Sequence, residues 1–594
     1  MCGICGELHV KAGESANITM VEKMMKTLER RGPDFGSTYQ DRNLAFGHRR
    51  LAIIDLSSHS NQPFIDDELQ LALVFNGVIY NYRELRQELT GKGYHFTSDG
   101  DTETIIKAYH CWGEQCMQHF IGMFAFAIWD RRDRSLFLAR DRLGIKPLYY
   151  TDANGVFRFS SNTDGLLAAG DVDTRIDKIA LHYQFTLHGV VPAPHTILQG
   201  IRKLPPATWM KIEANGKRSE SVYWKLNATR GNQTFSREEW NEQIHKKLLL
   251  SVKRRMLASD VPVGVLLSGG LDSSLIVGLL AELGQENLRT FSIGFEDIGF
   301  EKGSEFEYSD QIAEKFHTKH HKFIIPNEQV LTRLPEAVDC MAEPMLGQDA
   351  IAFYLLSEQV SKEVKVVMSG QGADEVFAGY FWYPRMQAAQ GSSIERFAQH
   401  YFDRDHDEYL SSVMPAFHGE DYSRELLNAR LQEPDADEFL DQVLRADVTM
   451  LIVDDPVKRV DNMTMAWGLE ARVPFLDHEL VELAARMPPV FKLYEEGKGP
   501  MKAISRGLLP DDVIDRKKGY FPMPALKYVR GDFLHFMQDI LNSQVCRERG
   551  LFQRAYVEKM LKNPEQHLTR IQGSKLWHLA LLEYWLQKHV DPIC

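Results

Sequence analysis

Between Val261 and Leu280 the chain reads VPVGVLLSGGLDSSLIVGLL, a stretch that limits the architecture more than any other. The apolar run Val263–Leu267 has the length of a buried strand. It stops at Ser268, Gly269 and Gly270, and a second apolar run of helical length begins near Asp272. A buried strand turned tightly into a helix is the first half of a strand–helix–strand unit in a parallel sheet. Gly269 and Gly270 permit a turn whose backbone N–H groups point inward, and Ser268, Ser273 and Ser274 add hydroxyl donors. The following helix offers its positive end to the same spot, so the turn suits an anion such as phosphate. Asp272 would repel bare phosphate but fits a site where a divalent cation bridges the two. The lysine of the G-x-x-x-x-G-K-[ST] loop is missing. A plain Gly-Ser turn with a capping hydroxyl is the competing reading, and the aspartate and serines after a buried strand weigh against it.

Further strand candidates at Thr290–Phe295, His321–Ile325 and Val364–Met368 alternate with helical stretches, which predicts a mostly parallel sheet with helices on its faces. The last of them runs into SGQGADEVFAGY, Ser369–Tyr380. In such a sheet the loops at the carboxyl ends of neighbouring strands converge. Asp374 and Glu375 would then face the same crevice as Asp272, making a place for Mg2+ beside phosphate, although Asp374 could also cap the helix that follows. A long helix is expected from Phe235 to about Ser259, and the chain beyond Tyr380 reads as helical and charged. Residues 235–594 are thus expected to form an α/β parallel-sheet domain with a helical carboxyl-terminal region.

Residues 2–170 read differently. Short β-type runs such as LAFGHRRLAIIDL, LQLALVFNGVIYN and GMFAFAIWD are separated by turns, with helices expected near Ile18–Glu29, Tyr82–Leu89 and Thr102–Cys111. This predicts a strand-rich α+β domain. Residues 171–234 carry GVVPAPHTILQGIRKLPP, whose proline density predicts a connecting segment. A chain of 594 residues needs several cores. Its net charge of -13 offers no basic field for a nucleic-acid partner. No apolar run is long enough for a bilayer and no signal peptide is evident, so a cytoplasmic location is expected. Seven cysteines make no disulfide framework. Cys2 and Cys5 are spaced as C-x-x-C, which leaves a frayed terminus, a metal pair and a terminal nucleophile all open on spacing alone.

MCGI, RRLAIID, NGVIYNY, SDGDTE, SGGLDSS and SGQGADEVFAGY together resemble the glutamine-dependent asparagine synthetases from end to end. The resemblance implies a class II glutamine amidotransferase domain with the sandwiched sheets of an N-terminal-nucleophile hydrolase. An ATP-pyrophosphatase domain, similar to the adenine nucleotide α-hydrolases, would follow. It implies that Cys2 is the glutaminase nucleophile once Met1 is removed, with an α-amine of pKa near ~8 as its proton acceptor. Arg50 would hold the glutamine α-carboxylate, Asp101 its α-ammonium, and Asn76 with Gly77 the oxyanion. Strand alternation turns Arg49 to the other face, and Cys5 away from Cys2. ATP would lie over Leu267, Ser268, Gly269, Gly270, Asp272, Ser273 and Ser274 and against Ile293, Ser369 and Gly370, with Mg2+ on Asp272 and Asp374. Lys502, in PMKAISR, best matches the lysine that stabilises charge during the reaction, and Lys498, in EGKGP, competes with it. A homodimer is a further expectation of the resemblance.

Three departures bear on specificity. Val78 stands where these synthetases read NGEIYN, Gln371 where they read SGEGADE, and Ser505 replaces the leucine before Arg506. The tail HLTRIQGSKLWHLALLEYWLQKH and Gln371 look like N-acetylglutaminylglutamine amidotransferases, relatives that amidate a small acylated dipeptide to make an osmoprotectant. That dipeptide ranks ahead of aspartate as the expected acceptor, with Gln371 as the selecting residue. A non-catalytic relative is the remaining alternative, and retention of Cys2, Arg50, Asn76, Asp101, Asp272 and Asp374 argues against it.

Overall fold

Alternation along the first strand, Cys2–His9, decides the layering of the amino-terminal half in the computed structural model, which describes residues 2–11, 13–231, 235–297, 303–516 and 529–591. Ile4 and Leu8 join Leu44, Phe46, Ala72, Val74, Ala125, Ala127 and Trp129 in one apolar layer. Cys5, on the opposite face, packs with Val21 and Met24 of the helix Ile18–Lys26. The layer lies between two six-stranded antiparallel sheets. One runs in the order Arg202–Lys203, Tyr149–Ala153, Val156–Ser160, Cys2–His9, Leu44–Arg50, Phe35–Asp41. The other runs Arg218–Val222, Thr208–Ile212, Ser135–Arg140, Gly122–Asp130, Leu71–Ile79, Phe64–Asp66. The outer face of the second sheet, with Leu71, Leu73 and Phe75, is covered by Leu85, Leu89, Ile105 and Ile106 of the helices Tyr82–Gly91 and Thr102–Trp112. Each such fully buried aliphatic side chain contributes about 1.5–3 kcal/mol against exposure.

The segment expected to be a mere connector is packed. Lys178–Thr186 is a helix capped by the Asp177 side chain, Arg202–Lys203 joins the edge of the first sheet, and Thr208–Ile212 and Arg218–Val222 extend the second. The prolines Pro192, Pro194, Pro205 and Pro206 fall in turns between these short elements, where they cost no ladder hydrogen bond.

The second half is built on a five-stranded parallel sheet in the order Lys319–Ile325, Arg289–Phe295, Val263–Leu266, Val366–Met368, Glu470–Arg472. The chain leaves Val263–Leu266 toward one edge and then returns to its other side. A crevice therefore opens where the carboxyl ends of Val263–Leu266 and Val366–Met368 diverge. The fifth strand falls in a region read as wholly helical. Its charged residues give no strand pattern, yet Glu470 and Arg472 are fully buried and ion-paired at 2.5 Å. Arg472 also donates to the carbonyls of Arg255 and Ala258. Helices fill the rest, ending in Lys575–His589, whose Leu576, Trp577, Leu579, Leu582 and Trp585 are core. Among the described residues no helix is long and apolar enough to cross a membrane.

Candidate active sites

Antiparallel register brings the first site together. Cys2 pairs directly with Arg50, so both side chains project toward the second sheet. From that sheet Asn76, in phase with the inward-facing Ala72 and Val74, projects back. Its Oδ1 accepts a hydrogen bond from the main-chain nitrogen of Cys2 at 3.1 Å. Its Nδ2, fully buried, has no hydrogen-bond partner among the described residues, leaving a donor aimed at a group still to come. Gly77 leaves room for the neighbouring strand, since a Cβ there would lie 2.2 Å from the Met123 carbonyl oxygen. Burial pushes the Cys2 thiol up, with the Leu51 N–H and the Arg50 charge pulling it back. Cys5 points to the carbonyls of Val21 and Gly47, away from Cys2. Met1, and with it the expected removal of the initiator, lies outside the described residues.

Arg50 is held more tightly than its sequence match suggests. Its guanidinium donates to the Ser57 carbonyl and Asn61 Oδ1, both at 2.7 Å, and to the carbonyls of Ile54 and Asp55. A bound carboxylate would share Arg50 with this loop. Arg49 faces the other way, donating to the Gly32 carbonyl at 3.0 Å. Asp101 occupies the N-cap position of Thr102–Trp112 but makes no capping bond; its Oδ2 accepts from the Ile79 N–H at 3.0 Å. Val78 is buried in the apolar cluster beneath the site.

The second site forms at the crevice of the parallel sheet. Gly269 has φ +74°, and a Cβ there would meet the Ser309 nitrogen at 2.7 Å, so only glycine suits this turn. Ser268 Oγ accepts from the Gly270 N–H at 3.2 Å and lies 3.1 Å from Ser273 Oγ, which rigidifies the loop. Ser274 Oγ is buried without a hydrogen-bond partner among the described residues. The loop after Val366–Met368 closes on it: a Cβ at Gly370 would sit 3.0 Å from Asp272 Cβ and 3.2 Å from the Ser273 nitrogen. Ser369 is buried at the strand end, where its N–H donates to the Arg472 carbonyl at 2.9 Å. Leu267, just past its strand, and Ile293, within the neighbouring strand Arg289–Phe295, are buried alongside.

Lys498 crosses this crevice. Its Nζ lies 2.5 Å from Asp272 Oδ2 and 2.8 Å from Asp374 Oδ1, and despite burial these two carboxylates hold its pKa above the ordinary range. Lys502 does not reach the pair. It is one helical turn further on, half-buried, with its ammonium on the Glu495 carbonyl, and burial lowers its pKa. The left-handed backbone at Lys498, φ 56°, directs that side chain inward where helical phase directs Lys502 outward. The geometry thus favours the competing lysine over the better motif match.

The asparagine synthase family model matches residues 243–587. The chain belongs to the asparagine synthase family. The glutamine amidotransferase domain model matches residues 1–224. Asparagine synthetase (glutamine-hydrolyzing) 1 of Bacillus subtilis (strain 168) is 31% identical over 100% of this chain and 97% of its own length. Asparagine synthetase (glutamine-hydrolyzing) 3 of the same organism is 29% identical over 99% of each. A glutamine phosphoribosylpyrophosphate amidotransferase from B. subtilis, solved with ADP and GMP, covers 54% of this chain and 90% of its own at 14% identity and TM-score 0.31. In this asparagine synthase family member the layered antiparallel sheets are the glutamine amidotransferase domain. The parallel sheet with its helical region is the synthetase domain.

Two buried carboxylates flank the synthetase crevice, Glu375 within SGQGADE and Asp447 outside any motif. Glu375 is buried and accepts from Tyr380 Oη at 2.8 Å, and Asp447 accepts from Tyr383 Oη at 2.5 Å. Burial and the neighbouring Asp374 push Glu375 up to about 8, and burial pushes Asp447 up to about 7. Apart from the SGQGADE phase of Glu375, only their burial reveals them. Gln371 is half-buried at the turn between Gly370 and Gly372. Two His–Asp clusters lie elsewhere: His182 bonds Ser423 at 2.9 Å and His406 at 3.1 Å, while His188 pairs with Asp403 at 3.2 Å. These bonds fasten the segment around Lys178–Thr186 to the helical region.

Burial pushes the Asp101 carboxyl up to about 6, with the Ile79 N–H drawing it down. In the role the resemblance implies, pairing the glutamine α-ammonium, Asp101 must be ionised. For glutamine hydrolysis, kcat/KM is therefore expected to fall about tenfold per pH unit below that value, while Asp101→Asn loses both this limb and most of the activity. The native state also holds this proton more tightly than the unfolded chain. That contribution to stability is present below pH ~4 and lost as pH rises through the folded value. Steady-state hydrolysis across the pH range checks the limb.

Proposed function

We propose that this protein transfers the amide nitrogen of glutamine to a small carboxylic acid activated by ATP. The observation that carries the reading is one chain with two built sites. Cys2 is buried against Asn76, whose Nδ2 is a spare donor, and Asp272, Asp374 and Lys498 meet in a second crevice. Cys2 attacks the glutamine amide carbon, its thiol proton passing through the α-amine to the leaving nitrogen, while Asn76 Nδ2 and the Gly77 N–H take the oxyanion and Asp101 orients the substrate. Once ammonia has left, water hydrolyses the glutamyl thioester to glutamate and free Cys2. Ammonia leaves toward the second site, where the acceptor carboxylate has displaced pyrophosphate from the α-phosphorus of ATP. Ammonia then attacks the acyl carbon, and AMP departs with the C–O electron pair. The loop Ser268–Ser274 with Ser369 and Gly370 would hold the phosphates, and Leu267 with Ile293 the adenine. Two carboxylates that already converge on one cation, Lys498 Nζ, suit a hard divalent ion, so Asp272 and Asp374 would hold Mg2+. Bound there, Mg2+ would offset phosphate charge.

For the acceptor, Gln371 favours N-acetylglutaminylglutamine. Aspartate brings an α-ammonium that a carboxylate would pair, whereas an N-acylated dipeptide has none and suits a neutral amide beside the reacting group. The names of the full-length relatives favour aspartate as the second reading. Incubation with ATP, Mg2+ and glutamine and each acceptor in turn is expected to give the dipeptide amide with the higher kcat/KM. Asparagine as the more efficient product would reverse the order.

A further inference from the structure

We propose that Arg31 and Asp461 are positioning residues that tie the state of the synthetase crevice to the glutaminase nucleophile. The proposal rests on Cys2 being that nucleophile. Arg31 leaves the turn after the helix Ile18–Lys26 and donates from Nε to the Cys2 carbonyl at 3.4 Å. Its Nη2 lies 3.0 Å from Asp461 Oδ2, on the synthetase helix Lys458–Met465. Lys146 Nζ holds the other carboxylate oxygen at 2.8 Å. Arg31, Asp461 and Lys146 are 6%, 3% and 1% exposed, so water cannot absorb a shift of any one of them. A displacement of Asp461 must pass to its two cationic partners.

The helix bearing Asp461 is also fastened within the synthetase domain. Lys458 lies 3.3 Å from Glu343, and Arg459 pairs with Asp349 at 3.0 Å and with Asp455. It continues from two consecutive π-helical stretches, Asp447–Leu451 and Val453–Val457, the second containing Pro456. Such turns collect at functional sites and are places where helical register can change. Asp447, at the head of the first, takes the Tyr383 hydroxyl, and Tyr380 takes the neighbouring contact with Glu375 beside Asp374. Tyr380, Tyr383, Asp447 and the helical stretch running to Met465 join the crevice to Asp461 and Arg31.

The Arg31 end is slack. The bond to the Cys2 carbonyl is long, and Arg31 Nη2 and Asp461 Oδ2 are close without hydrogen-bond alignment. A small shift of Lys458–Met465 can tighten both, reorienting Cys2, whose nitrogen Asn76 holds. Occupation of the synthetase site by ATP and acceptor would thereby raise glutamine turnover.

The test measures glutamine hydrolysis with and without ATP plus acceptor, and the ratio of glutamate to amide product. Wild-type protein is expected to show stimulation of roughly tenfold and a ratio near one, the size of a typical coupling. Asp461→Asn should keep ammonia-driven synthesis and unstimulated hydrolysis, lose the stimulation, and raise the ratio several-fold. Arg31→Lys, which keeps the charge but removes the Nε contact, should lose the stimulation as well, and serves if Asp461→Asn does not fold. Stimulation retained in either folded variant, or absent from wild type, overturns the relay alone. Wild-type protein that hydrolyses no glutamine overturns the role of Cys2 and the relay together.

Discussion

Cys2→Ala is expected to lower glutamine-dependent amide formation and glutamate release by roughly 10^4-fold or more, while synthesis from added ammonia continues at the parent rate. The effect is large because no other group can take the thiol's place. The nearest other cysteine of the same strand, Cys5, is buried on the opposite face against helix and sheet carbonyls. His48, the closest buried imidazole on the Arg50 strand, is kept neutral by burial, its pKa lowered to about 3, and its Nε2 lies against the Phe75 carbonyl. In the role the resemblance implies for Cys2 the base is the α-amine, and active protein is expected to lack Met1. Amino-terminal sequencing beside the two assays checks both points. Glutamate release that survives Cys2→Ala, or activity in protein that retains Met1, would sink the assignment.

Lys498→Ala should lower acceptor-dependent pyrophosphate release by about 10^2–10^3-fold and leave glutamine hydrolysis in place. Lys498 is the cation that lets Asp272 and Asp374 sit together in a buried crevice. Without it the two carboxylates repel each other across the place proposed for phosphate. Lys502→Ala removes an ammonium held only by the Glu495 carbonyl near the surface, and its effect should stay within a few-fold. Pyrophosphate release by the two variants side by side decides between them. Loss confined to Lys502→Ala would restore the motif-based choice.

The strand, turn and helix around Ser268–Ser274 were legible because their conformation is local. Strand, glycines, serines and helix follow one another within twenty residues, and the close contacts of Gly269 and Gly370 show the packing that those residue types anticipate. Cys2 and Asn76 were legible for a related reason. Both sit on strands whose alternation points them inward, so a period of two carries them to the same layer. Arg50 was legible as a partner of Cys2 but not as a side chain already taken up by four acceptors of the loop from Ile54 to Asn61. The segment 171–234 was misread because proline density reports turns and says nothing about whether the short runs between them find a sheet edge.

What the sequence determined by itself, then, is the order of the two domains and the residue types of each site, since strand period, turn chemistry and helix start are properties of neighbours in the chain. Only the tertiary structure decided which lysine reaches Asp272 and Asp374, that Glu470–Arg472 is a strand, and that Arg31 joins Cys2 to Asp461. Each of these depends on polar groups far apart in sequence, Arg472 on the carbonyls of Arg255 and Ala258 among them, buried where they must find one another because water is excluded. No local pattern records that constraint.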